Sequence, residues 1–130
     1  MSGISPDIPA GLGMWRVLGL LTVAFILASG QMLFKIAADR LVLGQGPVAL
    51  ALSFVTRPMV VALVLYGLAT LLWVYLLHGL PLSRAYPFIG LVFAFVPLMS
   101  WLVFRDALNA RYAVGLVLML AGLYLISAGR

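Results

Sequence analysis

Two polar side chains stand out near the end of a long apolar run, in the stretch SGQMLFKIA at residues 29–37. Gln31 and Lys35 lie four residues apart, so on a helix they share one face with Leu27. A glutamine is costly in lipid and is expected to face protein or a wet cavity. A lysine beside it can receive a phosphate or another anion, supported by hydrogen bonds from the amide. The alternative is that Lys35 is a plain anchor whose ammonium reaches the membrane interface.

A second group of candidate residues lies at the start of a later apolar run, in the stretch PLSRAYPF. Arg84 is expected at the membrane interface on the side opposite Lys35, with Tyr86 just inside it. Interfacial belt residues are the alternative for tyrosines at this depth, and we assign Tyr86 and Tyr66 to a candidate substrate-binding site. Pro97 stands in mid-run and predicts a helix kink, which either opens a groove or only shapes packing.

The elements that carry these residues are predicted to be transmembrane helices. The chain of 130 residues is 65% hydrophobic and 8% charged, which is too apolar for the surface of a soluble globule. A span needs about 20 apolar residues, and in lipid a helix satisfies its own backbone. We therefore predict an all-α membrane protein with a flexible N-terminal tail (1–14) and a four-helix transmembrane domain (15–130). Its spans cover about 15–35, 58–77, 85–104 and 112–127, with a short interfacial helix at about 47–55 between the first two.

Charged and metal-binding residues are too few for several classes of function. The chain has no cysteine, one histidine and three acidic residues, which argues against a catalytic or metal site. No glycine-rich phosphate loop follows a strand pattern, so no cofactor is predicted and an enzyme is disfavoured. The formal charge of +5 comes from basic residues scattered singly at the ends of apolar runs. That distribution indicates membrane anchoring rather than nucleic-acid binding.

The size of the bundle predicts a partner. Transport folds commonly pair two related halves around a site near the midplane, and four spans supply one half. Gly115 and Gly122 lie seven residues apart on one face of the fourth span, and small residues let helices approach closely. We therefore predict a homodimer or a heterodimer with a related four-span subunit, with packing inside the chain as the alternative for these glycines. The short loops further predict that the second, third and fourth spans are sequential neighbours.

The layout and several short motifs resemble a known family. Four spans, the pair AY at the start of span three and the glycine pair of span four resemble the small multidrug resistance exporters of the drug/metabolite transporter superfamily. The resemblance covers most of residues 15–127. GQMLFKIA and LHGLPLSRAY resemble stretches of the two small subunits of the flippase for aminoarabinose linked to undecaprenyl phosphate. The exporters carry a glutamate where Leu27 stands here and a tryptophan where Ile89 stands.

This resemblance implies a subunit that flips a polyprenyl-phosphate-linked sugar between the leaflets of a bacterial inner membrane. A cation/proton antiporter needs a titratable carboxylate within the membrane, and no predicted span contains one, so an anionic substrate is favoured. Lys35 and Gln31, with Arg84 at the other interface, would then receive the phosphate and sugar headgroup in turn. Two alternatives stay open: a proton-coupled small-molecule or multidrug exporter acting with a partner chain, and a non-transporting membrane partner of a glycosyltransferase.

Overall fold

A computed structural model describes residues 12–129, and within them it contains six helices and no strand. Four helical segments are long and apolar enough to cross a membrane, and the third of these consists of two helices. The prediction of an all-α membrane protein with a short helix between its first two spans is confirmed. The helices are α1 (Met14–Ala38), α2 (Pro47–Ser53), α3 (Arg57–Leu77), α4 (Leu82–Gly90), α5 (Val92–Phe104) and α6 (Ala110–Ala128); the spans are α1, α3, α4 with α5, and α6.

The local sequence explains where several of the helices begin. The third span begins at Leu82, so Arg84 lies in its first helical turn rather than in the preceding loop. α6 follows Asn109, whose side-chain oxygen accepts a hydrogen bond from the Tyr112 N–H at 2.8 Å. Such a side-chain cap satisfies one of the free N–H groups at a helix start. Of the predicted N-terminal tail, residues 1–11 lie outside the described residues.

The third span is interrupted at Leu91, between the end of α4 and the start of α5. The Leu91 N–H donates to the Phe88 carbonyl at 3.1 Å, which closes a tighter turn than that of an α-helix. Gly90 is a poor helix former and Pro87 has no N–H to donate, so both weaken the helix here. Pro97 lies buried within α5, beyond this interruption. A kink at Pro97 itself therefore stays a prediction.

The first span is the centre of the bundle. α1 packs along α3 and also contacts α4 and α5, while α6 packs against α4 and α5. Among the described residues, the second and third spans both pack mainly against α1, and they meet each other directly at Trp73 and Tyr86. Ala24, Ala28 and Gly30 are buried on α1 and let neighbouring helices come close. A short loop fixes only the ends of two helices, and the small residues decide which helices pack along their length.

The buried core lies where α1 meets α3. Leu20 and Val23 of α1 and Leu76 of α3 are its largest fully buried side chains. No described residue of α6 is buried. The sixth helix is thus the least buried of the four spans, and its apolar side chains are available to lipid or to another chain.

Candidate functional site

The Gln31 side chain is held by a tyrosine on the neighbouring span. Gln31 Nε2 donates a hydrogen bond to the hydroxyl of Tyr66 on α3. The Tyr66 ring lies over Gly30, where an added Cβ would come within 2.7 Å of the ring Cδ2. Its other neighbour is Phe34, with ring centroids 5.1 Å apart. The structure therefore brings together two of the predicted site residues, and it adds Gly30 as the residue that makes their approach possible.

Gln31 also lines a cavity on the other side of α1. The cavity has a volume of about 320 Å³ and lies between α1, α5 and α6. Gln31 is exposed and supplies an amide to a lining that is otherwise mostly apolar. An apolar cavity with a few fixed polar groups is the usual form of a small-molecule site. The lining residues are Gln31, Val92, Phe93, Val96, Pro97 and Tyr112.

Lys35 lies one helical turn beyond Gln31, and its charge is met by a carboxylate. Its ammonium Nζ lies 2.6 Å from Oδ1 of Asp39, and the two side chains are 55% and 56% exposed. Asp106 lies in the loop between α5 and α6, at the end of the bundle where α1 ends. Asp39 was not predicted as a partner of Lys35, although the four-residue spacing of a lysine and an aspartate on a helix was the signal for this pair.

Asp106 is anchored close to the end of α5. Its carboxylate accepts a hydrogen bond from the Ser100 hydroxyl. The preceding residue, Arg105, has a φ of 58°, in the left-handed region that a residue other than glycine seldom adopts. This turn ends α5 and directs the chain back toward Ser100. The carboxylates of Asp39 and Asp106 therefore both lie at the end of the bundle that carries Lys35.

Arg84 lies at the opposite end of the bundle from Lys35. It is half-buried in the first turn of α4, and its backbone N–H donates to the Pro81 carbonyl at 2.9 Å. The two cations are thus separated by the thickness of the bundle. The structure does not bring them together into one site.

Tyr86 faces a second cavity, of about 190 Å³, between α1, α3 and α4. Its ring meets that of Trp73 edge to face, with centroids 6.3 Å apart. Leu27, the residue one turn before Gln31, forms part of the same lining. The cavity is therefore aromatic and aliphatic where the resembling exporters have a glutamate. The lining residues are Val23, Leu27, Ala69, Thr70, Trp73, Tyr86 and Ile89.

The two glycines of the fourth span have no other part of the chain close to them. A Cβ added at Gly115 or at Gly122 would meet nothing within 4 Å. By contrast, a Cβ at Gly90 would come within 2.8 Å of Leu123 Cδ1 on α6. Packing inside the chain therefore does not account for the glycine pair, whereas Gly90 serves the contact between the third and fourth spans.

The chemistry available to these residues is the binding of an anion and of an apolar or polyhydroxylated group. Residues 12–129 contain no cluster of three or more histidine, cysteine or acidic residues that could hold a metal ion. On the first span, Gln31 carries an amide and Lys35 an ammonium, and both donate hydrogen bonds. They suit a phosphate or a sugar hydroxyl better than a cation.

Sequence comparison finds several related proteins. The chain is 34% identical over 108 residues to the probable 4-amino-4-deoxy-L-arabinose-phosphoundecaprenol flippase subunit ArnE of Yersinia pestis (strain Pestoides F), covering 83% of this chain and 92% of that protein. It is 33% identical over 105 residues to the ArnE of Yersinia pseudotuberculosis serotype O:3 (strain YPIII), covering 81% and 90%. The ArnE of Enterobacter sp. (strain 638) is 37% identical over 65 residues, covering 50% and 61%. No protein-family model and no solved structure matches the chain.

Proposed function

The chain belongs to the family of ArnE flippase subunits, and from this premise we propose that it moves a polyprenyl-phosphate-linked sugar between the leaflets of the bacterial inner membrane. Membership itself makes the chain a multi-pass membrane transporter subunit rather than an enzyme. The proposal adds the substrate class and the residues that receive it. It draws on the names of the relatives, which specify a phosphoundecaprenol carrying an amino sugar.

The observation that carries the proposal is the polar side of the first span. Gln31 opens into the cavity of about 320 Å³, and Lys35 lies one turn further toward the end of the bundle. An anion in the membrane interior is costly unless charge and hydrogen bonds compensate it. Lys35 supplies the charge at one interface and Arg84 supplies it at the other. A phosphate exchanged between them would meet a cation on each side of the bilayer.

The sugar and the lipid tail need different surroundings from the phosphate. We assign the sugar ring to the aromatic cavity, where Trp73 and Tyr86 offer flat faces and a hydroxyl next to Leu27. The tail is apolar and stays in the bilayer, beside the groove that Phe93 and Pro97 help to line. Leu27 also argues against export of cations. A cation exporter needs a carboxylate at this position that binds substrate and proton alternately, and leucine has none.

A second four-span subunit would complete the transporter. α6 is the least buried of the four spans, it buries no described residue, and Gly115 and Gly122 leave its small-residue face open. Close approach at small residues is a common basis of helix association in membranes. We propose that this face holds a second copy of the chain or a related subunit.

The test is lipid transport by single-residue variants. The protein is purified from membranes with any partner that accompanies it, and is reconstituted in vesicles with a fluorescent polyprenyl-phosphate sugar. Lys35→Ala or Arg84→Ala should slow transfer between leaflets about ten-fold, the scale of one lost charge-assisted hydrogen bond. Arg40→Ala is the matched control, since it removes a cation just beyond the end of α1. Unchanged transfer in both variants would overturn the roles assigned to Lys35 and Arg84.

Native mass spectrometry of the same preparations separates this function from its alternatives. A polyprenyl phosphate or its glycosylated form should be retained in a fixed ratio and lost in Lys35→Ala. Retention of bulk phospholipid alone, with a glycosyltransferase bound in a fixed ratio, would favour a non-transporting partner. Proton-driven uptake of a cationic drug into the vesicles would favour the exporter.

A further inference from the structure

We propose that Asp39 is an internal competitor for Lys35: its carboxylate occupies the ammonium while the site is empty, and the phosphate of the substrate displaces it. This inference rests on the proposed function and names the residue that regulates its site. The carboxylate oxygen lies 2.6 Å from Lys35 Nζ, at the distance of a charge-assisted hydrogen bond. A phosphate oxygen presents the same kind of acceptor, so the two ligands exclude each other at the ammonium.

The position of Asp39 is unfavourable for the helix that carries it. Asp39 is the C-cap residue of α1, and its N–H donates to the Lys35 carbonyl at 3.0 Å. The C-terminus of a helix carries a partial negative charge, so a carboxylate there is repelled and a cation is preferred. The helix dipole therefore does not explain the aspartate. Its contact with Lys35 does, because this pairing gives the carboxylate a compensating charge.

The exposure of the pair makes displacement easy. Both side chains are more than half exposed, so neither must be taken out of a buried environment when the partner changes. Exposed ion pairs are weak because solvent screens them. A headgroup that also bonds to Gln31 and fills the neighbouring cavity makes more favourable contacts than Asp39 does, so it displaces Asp39 from Lys35. A bulk phospholipid that reaches only the ammonium of Lys35 makes few contacts beyond the one that Asp39 already makes. Competition by Asp39 weakens the binding of every anionic lipid by the same factor, so a lipid held only by the ammonium stays largely unbound while the substrate still binds.

The same exchange assists release of the substrate. When the headgroup leaves, Asp39 is one helical turn away and restores a partner to Lys35. The ammonium is then never left unpaired, so dissociation does not carry the full cost of separating two charges. Asp39 acts through Lys35 and is a positioning residue for it.

The test is a binding titration with a short-chain polyprenyl phosphate, measured by native mass spectrometry on the full-length protein. Asp39→Asn should bind this probe about two- to five-fold more tightly, the range expected when an exposed ion pair is removed. Asp106→Asn is the matched control, because it removes a like charge from the same end of the bundle without removing the 2.6 Å partner. In a Lys35→Ala background, Asp39→Asn should give no gain, since the two residues act as a unit.

Chemical modification of lysine measures binding at Lys35 specifically, because Lys35 is the only lysine in the chain. The probe should protect Lys35 from an acylating reagent, and in Asp39→Asn it should do so at lower concentration. A merely structural role for Asp39 would predict weaker binding in Asp39→Asn.

The outcomes of these titrations distinguish a failure of the competitor role of Asp39 from a failure of the proposed function. Unchanged or weaker binding in Asp39→Asn, with binding still lost in Lys35→Ala, overturns the competitor role and leaves the proposed function standing. Equal gains in Asp39→Asn and Asp106→Asn also overturn it, since the effect is then one of general charge. Binding that survives Lys35→Ala overturns the phosphate site itself, and the inference with it.

Discussion

Gly30→Ala tests whether Tyr66 is seated on the first span as the structure has it. The new methyl would lie 2.7 Å from Tyr66 Cδ2 and nearer still to Cε2. Carbon atoms in contact prefer about 3.5–4.0 Å, so the ring or α3 must move by roughly 1 Å. The ring cannot turn freely away, because Gln31 bonds its hydroxyl and Phe34 packs beside it. Overpacking of this kind costs about 1–3 kcal/mol.

The matched control is Gly67→Ala on α3, where an added Cβ meets nothing within 4 Å. Both substitutions gain the same helix propensity, about 0.5–1 kcal/mol. The difference between the two variants therefore isolates the contact with Tyr66, and it should be about 1–3 kcal/mol with Gly30→Ala the less stable. The free energy of unfolding is measured by titrating the purified protein with SDS in lipid–detergent micelles and following helical circular dichroism.

Equal stability of the two variants, or greater stability of Gly30→Ala, would refute the close approach of the ring. A further comparison guards against a general defect of the variant. Tyr66→Ala should cost less in the Gly30→Ala background than in the wild type, because the two residues touch. If the two effects simply add, the strain does not lie between Gly30 and Tyr66.

Three further predictions concern other contacts. Tyr66→Phe removes the acceptor of the Gln31 amide and should lower stability by about 0.6 kcal/mol, the average for polar pairs in membranes; an equal loss in a Gln31→Leu background would contradict the bond. Gly122→Leu should abolish dimers in chemical cross-linking without loss of helical circular dichroism, because its side chain meets open space within the chain; intact dimers would exclude this face as the interface. Asn109→Ala should destabilise the protein by about 1 kcal/mol through loss of the α6 cap, and Asn109→Asp should not; equal losses would show that the cap does not contribute.

The sequence alone was sufficient to predict the helical elements of this protein. Apolar runs of about 20 residues predict spans because only a self-satisfied backbone can cross lipid. Charged residues, prolines and polar caps indicate where each run ends. The polar side of the first span could also be predicted, because the four-residue spacing of Gln31 and Lys35 places them on one helix face without any tertiary information. The pair of Lys35 with Asp39 obeys the same local rule and could have been predicted.

The tertiary structure alone decided which helix faces meet. The partner of Gln31 is Tyr66, 35 residues away, and nothing local in the sequence selects it. The central position of α1 could not be predicted from loop lengths, because packing along it depends on small residues at Ala24, Ala28 and Gly30.

The physical reason lies in the solvent. In water, a helix shows an apolar stripe that marks its buried side. In lipid, every side of a span is apolar, and contacts between helices depend on shape and a few hydrogen bonds. The sequence therefore determined that Gln31, Lys35 and Arg84 lie in or beside the membrane. Only the folded bundle decided that Gln31 meets Tyr66, that Lys35 and Arg84 lie at opposite ends, and that Gly115 and Gly122 have open space where a side chain would lie.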